Sequence, residues 1–522
     1  MRTTNLLITT AFAVLMLCGL PSKATIWRVN NNPNYIQGCN HCFSNLQTAN
    51  DTSVVMIGDT IHLEASPIEY NAATITKPLV ILGTGYYLTD NSGLQKNFIS
   101  STIKSITFET NSQGSKLKGV RLFNSSNSAD INIKTSDILI ESCWVERFID
   151  FTAGTTYPPI NNVTIKKSYI YSIDNSNNNV PINNLHISNC YIYSRMFLND
   201  VNSPTSGTIT QCVISNDGSL GNRINFSSSI SSFYNNIIIR TSGSGLVIQQ
   251  NNNDTVNVHD NIFIPSPPAW LVGGNNYSST QAIVFPGTGS PDSTLNVNPG
   301  CAVCFSGFPT GTETFGMYGG ADPYKLSGIP NIPAIYQLQS VDSILQGGII
   351  NVDISTRGDS VITEVEYFWN VDSGFNAHSD TIYLNPVNNI LNGLLCVNVP
   401  INLGLGTHIL FVRSKDSQGR WSHTNYVDSV MVTGTVDIAE FFNQTGVQIY
   451  PNPFTDNITI EPKDSVKMRV MTYDIDGRKV IDKIIYSTTY IDTQTLTPGT
   501  YLICVLTDKK KVYQFKLVKG DK

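Results

Sequence analysis

Charged side chains are scarce in this sequence: Asp, Glu, Lys and Arg make up 14% of its 522 residues, against about 25% in an average globular chain. That shortage excludes a charged disordered chain and a coiled coil. Basic charge is not in surplus either, with 33 Lys and Arg against 39 Asp and Glu and a net charge of −6. Such a balance offers little to neutralise phosphates, so nucleic acid is not an expected partner. Beyond the first residues no run approaches the ~20 consecutive apolar residues of a membrane helix, so no transmembrane helix is expected. What is abundant is Gly, Pro, Tyr, Asn, Ser and Thr. A weakly charged protein decorated with small polar residues suits an exported β protein of two to four domains.

Met1 to Ala24 reads as a signal peptide, with Arg2 at its positive end, an apolar stretch from Leu6 to Leu20, and Ser22 and Ala24 as the small residues before a cut. A lipoprotein reading at Cys18 is weakened by Leu17, where a small residue is wanted.

The first half carries a repeat. Ile140-Glu-Ser-Cys143-Trp-Val145, Ile165-Lys-Lys-Ser168-Tyr-Ile170, Ile187-Ser-Asn-Cys190-Tyr-Ile192, Ile209-Thr-Gln-Cys212-Val-Ile214, Phe233-Tyr-Asn-Asn236-Ile-Ile238 and Val258-His-Asp-Asn261-Ile-Phe263 share one form, recurring every 22 to 25 residues. Leu117-Lys-Gly-Val120-Arg-Leu122 extends it upstream. Short alternating strands at this period describe a β-solenoid whose turns stack in parallel at about 4.8 Å. The alternation places Ile, Val and Leu inside. The fourth position sits at a turn and points inward, where the amides of Asn236 and Asn261 bond neighbouring backbone and the smaller Cys143, Ser168, Cys190 and Cys212 replace them.

The repeat resembles the right-handed parallel β-helix of the pectate-lyase-like superfamily, with its ladder of stacked asparagines. Asn45-Leu-Gln-Thr48, Gly58-Asp-Thr-Ile-His-Leu63 and Lys77-Pro-Leu-Val-Ile-Leu-Gly83 are similar to the opening turns of exported β-helices. The resemblance spans about residues 25–335 and implies a fold; lyases, hydrolases, epimerases and non-catalytic surface proteins all share it.

After the Pro-rich stretch Ser327 to Pro333, alternating runs at Val361 to Trp369 and Thr407 to Val412 indicate a β-sandwich over 336–435. Tyr367 to Phe375, Gly406 to Asp416 and Gly419-Arg-Trp-Ser422 resemble an immunoglobulin-like module of exported Bacteroidetes proteins, in which Trp369 and Trp421 read as core or strand-edge packing. In 440–522, Val447-Gln-Ile-Tyr-Pro-Asn-Pro453, Tyr473-Asp-Ile-Asp-Gly-Arg478, Leu496-Thr-Pro-Gly-Thr-Tyr501 and Gln514 to Lys519 resemble the type A C-terminal sorting domain of the type IX secretion system, with Pro451, Asn452, Pro453, Gly499, Tyr501 and Lys516 among its landmarks. That resemblance implies handling by the secretion machinery and its sortase, then release or attachment at the outer surface. The fold expected is thus all-β: a right-handed parallel β-helix followed by two small antiparallel β-sandwiches.

Ten cysteines, nine without the leader, argue against a complete disulfide framework. Cys39/Cys42 and Cys301/Cys304 are close pairs read as local disulfides near the two ends of the solenoid. Roughly 40–50 Å of stacked turns between them argues against a shared zinc unless the ends fold back. No metal or cofactor is expected, and Cys143, Cys190 and Cys212 read as inert ladder residues.

A hydrolase of this fold needs paired carboxylates, and a lyase needs a base with a cation. The Asn-Thr-Asp, Asp-Asp, Gly-His-Gly and Arg-Ile-Lys motifs of polygalacturonases and the Arg-x-Pro-x-x-Arg of pectate lyases are absent, and catalytic residues remain unassigned. His186, His259 and Asp260 share a face on different turns. The outward positions Trp144, Tyr169 and Tyr191, then Glu146, Tyr171 and Tyr193, make an aromatic stripe on successive turns flanked by Arg147, Asp150, Lys167 and Arg195. Rings repeating at about 4.8 Å suit stacking against an extended glycan; they also suit mere stacking on one another or cover by a loop. The leading expectation is a non-catalytic exported binder of polysaccharide or surface glycan. A polysaccharide lyase or glycoside hydrolase, and a structural surface-layer protein, are the alternatives.

Overall fold

A computed structural model describes residues 25–32, 42–86, 88, 96–97, 99–123, 130–151, 159–175, 180–198, 205–216, 224–226, 230–240, 248–250, 257–264, 277–278, 332–371, 381–383, 389–434, 446–463, 467–508 and 512–520. The leader, Cys39, Cys301 and Cys304 lie outside the described residues.

The repeat builds a parallel β-helix from two long sheets, with 12 and 14 strands among the described residues. Its register follows the sequence repeat residue by residue. In the first sheet Leu117, Ile140, Ile165, Ile187, Ile209, Phe233 and Val258 stack on successive turns. In the second, Leu122, Val145, Ile170, Ile192, Ile214, Ile238 and Phe263 do the same. Both rows feed one continuous core. Because side chains alternate across a strand, a slip of one residue would expose a whole row, so burial pins the register.

Between the sheets the chain bends at the residue before the ladder position. Gly119, Ser142, Lys167, Asn189, Gln211, Asn235 and Asp260 all take φ between 51° and 66°, a left-handed conformation that only Gly and Asn visit cheaply. The ladder then satisfies the corner. The Cys143 amide donates to Ser168 Oγ (3.1 Å), the Cys212 amide to Asn236 Oδ1 (2.9 Å) and the Asn236 amide to Asn261 Oδ1 (2.9 Å). Asn261 Nδ2 donates in turn to the carbonyls of Phe233 and His259. The amides therefore replace hydrogen bonds that the bend denies to buried backbone.

One end of the solenoid is closed by the short helix Leu46–Asp51, capped by Asn45, whose Oδ1 accepts from the Thr48 amide at 2.8 Å. Leu46 and Ala49 join the core. Gln47 exchanges hydrogen bonds with Thr74, and Asn50 Oδ1 accepts from the Thr76 amide. These amides cover the open edge of Ala73–Ile75, an edge that would otherwise invite another strand.

Two antiparallel sandwiches follow. The first packs the sheet Ala334–Ser340, Ile349–Arg357, Ile390–Asn398 against a five-stranded sheet centred on Gly406–Asp416. Trp421 is buried beneath Arg413 and Lys415, and Trp369 donates its indole N–H to the Asn398 carbonyl. The second packs Val447–Tyr450, Asn457–Pro462 and Thr489–Asp492 against four strands that end in Val512–Lys519.

Candidate functional site

Trp144 opens the strand Trp144–Phe151, Tyr169 and Tyr171 lie in Tyr169–Asp174, and Tyr191 and Tyr193 in Tyr191–Leu198. Parallel register places Trp144, Tyr169 and Tyr191 side by side on successive turns. The rings touch: Trp144 meets Tyr169 edge-on at 5.8 Å, Tyr169 stacks on Tyr191 at 5.4 Å, and Tyr171 lies 5.7 Å from Tyr193. The Arg121 guanidinium sits 4.5 Å over Trp144 and pairs with Glu146 (2.6 Å). Tyr86 lies 6.4 Å from Trp144 and donates its hydroxyl to the Lys167 carbonyl.

One part of the sequence reading is corrected. Tyr191 is only 1% exposed, packed between Tyr169 and Tyr193, and its row continues as the fully buried Val213, Ile237 and Ile262. The outward row therefore turns apolar and covered along the solenoid, a change legible in those three residues. Half-buried Trp144, Tyr169, Tyr171 and Tyr193 remain as the accessible patch. Of the flanking groups, Arg195 is committed to Asp174 (2.7 Å) and Ser172 (3.3 Å), while Arg147 and Lys167 stay half-buried at the patch margin. His186 and His259 belong to the first sheet, away from the rings; His259 pairs with Asp260 at 2.6 Å and stacks on Tyr234.

Beside this patch Asp130 is fully buried, one carboxylate oxygen accepting from the Arg147 amide at 2.7 Å. Burial pushes its carboxyl up to about 7, because the charged form loses water. An unfolded chain releases this proton near pH 4 while the folded chain holds it, so stability is lost as pH rises from about 4 through 7. Asp130→Asn should accordingly raise thermal stability at pH 8, by on the order of 2 kcal/mol, and leave it nearly unchanged at pH 4. Equal effects at both values would refute the assignment.

A second cluster lies where the β-helix meets the first sandwich. Trp27, Ile61 and Leu63 face the solenoid core, which turns Arg28, His62 and Glu64 outward. All three are nevertheless buried, because His423, Thr424 and Asn425 of the sandwich close over this face. The His62 and His423 rings meet at 4.9 Å, tilted 47° to each other, His423 Nε2 donates to the Gly83 carbonyl at 2.9 Å, and the Thr424 amide donates to Glu64 Oε2 at 3.3 Å. Arg28 holds Glu64 Oε1 at 2.9 Å. Desolvation, reinforced by His423, lowers His62 to about 3, so it is neutral; the Arg28 guanidinium keeps Glu64 ionised against the cost of its burial.

The ligand atoms of His62, Glu64 and His423 lie within 4.8 Å of one another. Two imidazoles and a carboxylate are a donor set suited to zinc. Here, however, Arg28 and the Thr424 amide already hold the two Glu64 oxygens, and Arg413 adds positive charge nearby. The chemistry is that of a latch between domains.

Cys143, Cys190 and Cys212 are fully buried ladder residues. Burial raises the Cys143 thiol to about 12 and Cys190 well above its ordinary range, which leaves little nucleophilic thiolate. Cys42 is disulfide-bonded.

In the last sandwich the Pro451-Asn452-Pro453 segment, with both Tyr450–Pro451 and Asn452–Pro453 bonds cis, is tied to the final strand. Asn452 Nδ2 donates to the Lys516 carbonyl and Oδ1 accepts from the Val518 amide. Tyr501 joins the core while its hydroxyl donates to the Thr497 carbonyl, and Gly499 (φ 155°) opens its strand. These landmarks are thus structural parts of one small fold, in which Tyr501 is buried while Pro451, Asn452, Pro453, Gly499 and Lys516 are exposed.

No curated protein matches the sequence. Similar solved structures include dimeric latent PorU from Porphyromonas gingivalis, at 13% identity over 37% of this chain and 20% of that one, with a TM-score of 0.16. The BSP domain of a biofilm-associated protein is similar at 14% identity over 40% and 33%, with a TM-score of 0.14. Fibronectin(III)-like modules of Clostridium thermocellum CbhA match at 14% identity over 37% and 94%, with a TM-score of 0.13. The chain spans a fifth and a third of the first two. Among the described residues no helix is long and apolar enough to cross a membrane. Residues 448–519 match the family described as a secretion system C-terminal sorting domain, so the chain carries the address of the type IX secretion system and is delivered to the cell surface or beyond.

Proposed function

We propose that the protein is a non-catalytic surface or secreted binder of extended polysaccharide, with Trp144, Tyr169, Tyr171 and Tyr193 as its sugar platform. One observation carries this reading: four half-buried rings from three successive turns stand together on one face of a rigid sheet. Rings held by their neighbours lose little entropy when a sugar face stacks on them. Arg147 and Lys167 at the margin favour a glycan that carries hydroxyl or carboxylate groups. The absence of polygalacturonase and pectate-lyase motifs from the sequence favours binding over turnover.

Titration of the full chain against a panel of uronate and neutral polysaccharides tests the reading. Tyr171→Ala with Tyr193→Ala should weaken the best ligand about tenfold or more, equivalent to at least ~1.4 kcal/mol, without generating reducing ends or unsaturated products in the wild type. Unchanged affinity in the double variant would sink the platform; product formation would establish a lyase or hydrolase instead.

A further inference from the structure

Eight of the ten cysteines are accounted for by position: Cys18 in the leader, Cys143, Cys190 and Cys212 on the ladder, and Cys39/Cys42 and Cys301/Cys304 as close pairs. Cys396 and Cys504 remain, 108 residues apart in sequence and in different sandwiches. Cys396 lies on Ile390–Asn398, between the core-facing Leu395 and Val397, so it points away from its own core. Cys504 lies on Gly499–Thr507 between the core-facing Ile503 and Val505 and also points outward, yet it is fully buried. Each outward face meets the other, and the two sulfurs stand 2.9 Å apart. Cys396 also lines a cleft of about 810 Å³ bounded by both sandwiches, with Tyr473 and Leu502 on its far wall.

We propose that Cys396 and Cys504 form a disulfide that ties the sorting domain to the preceding sandwich. Thiols brought together in a protein exported through an oxidising envelope are the usual substrates for such a bond. The oxidant is a disulfide, either that of a thiol oxidoreductase or a small-molecule disulfide. The half-exposed Cys396, reached from the cleft, attacks one sulfur of that disulfide as thiolate, expelling the other sulfur and forming a mixed disulfide. Cys504 then attacks the Cys396 sulfur, releasing the second oxidant thiol. The two cysteines lose two electrons and two protons, one sulfur–sulfur bond forms, and the oxidant disulfide is reduced to two thiols. Before oxidation, the Cys396 sulfur and burial keep the Cys504 thiol protonated. With the bond in place, a cut in the 434–446 connection would leave the sorting domain attached until it is reduced.

The full-length protein, equilibrated with oxidised glutathione, denatured, alkylated without reductant and digested, should yield a peptide pair joining Cys396 to Cys504 that separates on reduction. After an added protease cuts the 434–446 connection, the two fragments should migrate together on a denaturing gel without reductant and apart with it. Cys396→Ser should migrate as separate fragments in both lanes. Alkylation or glutathione capping of both wild-type cysteines, or separation of the wild-type fragments without reductant, would overturn the proposal.

Discussion

Arg413→Leu is expected to destabilise the first sandwich by about 3–5 kcal/mol, the cost of breaking a buried ion pair from one side. Arg413 and Glu366 are both fully buried, joined at 2.6 Å across adjacent strands. The guanidinium also lies 5.1 Å from the Phe368 ring and 5.4 Å from Trp421. Removing the cation strands a carboxylate that has no water to turn to. For a domain of about 100 residues this corresponds to a melting temperature roughly 15–30 °C lower. Replacing both partners by Leu should recover most of the loss, because two apolar groups leave no charge to desolvate. The damage should spread to the latch, since Trp421 and His423 lie on one short segment that reaches the β-helix. Calorimetry of the single and double variants checks this. A single variant within 1 kcal/mol of wild type would show that the pair is not desolvated.

Deleting residues 447–522 should abolish delivery to the cell exterior altogether and leave the protein in the periplasm. The deletion removes the whole sorting-domain match and a sandwich with its own core of Val447, Ile458, Val470, Tyr501 and Ile503. It therefore leaves no partly folded remnant. The exposed outer face of Cys396 is the principal scar, and Cys396→Ser in the same deletion controls for it. Fractionation with an antibody to the β-helix reads the outcome, and normal surface delivery of the truncated chain would refute the role of the domain.

Much of the β-helix was legible because stacking is periodic. A parallel turn must return to the same place, so Ile140, Ile165, Ile187 and Ile209 announce their register by their spacing alone. The ladder was legible for the same reason, since Asn236 and Asn261 recur where a corner needs amide donors. The left-handed bend one residue earlier was not, because Lys167 and Gln211 carry no propensity for it; the stacked fold imposes it. The aromatic row was found, but its exposure was misjudged at Tyr191, where burial depends on what packs against the row. Cys396 and Cys504 could have been singled out by elimination, although nothing local says that they meet.

Periodicity and local motifs were enough to say that this chain stacks into a β-helix, that two sandwiches follow, and that the last carries a secretion address. These are local or periodic facts, repeated often enough to read. Packing between domains is what buries Arg28, His62 and Glu64, placed outward by strand alternation, and brings a thiol from each sandwich to the other. His423 and Thr424 lie 340 and 360 residues beyond the groups they bond. Alternation along a strand tells which side a residue takes; whether that side meets water or another domain is set by a contact no local pattern encodes.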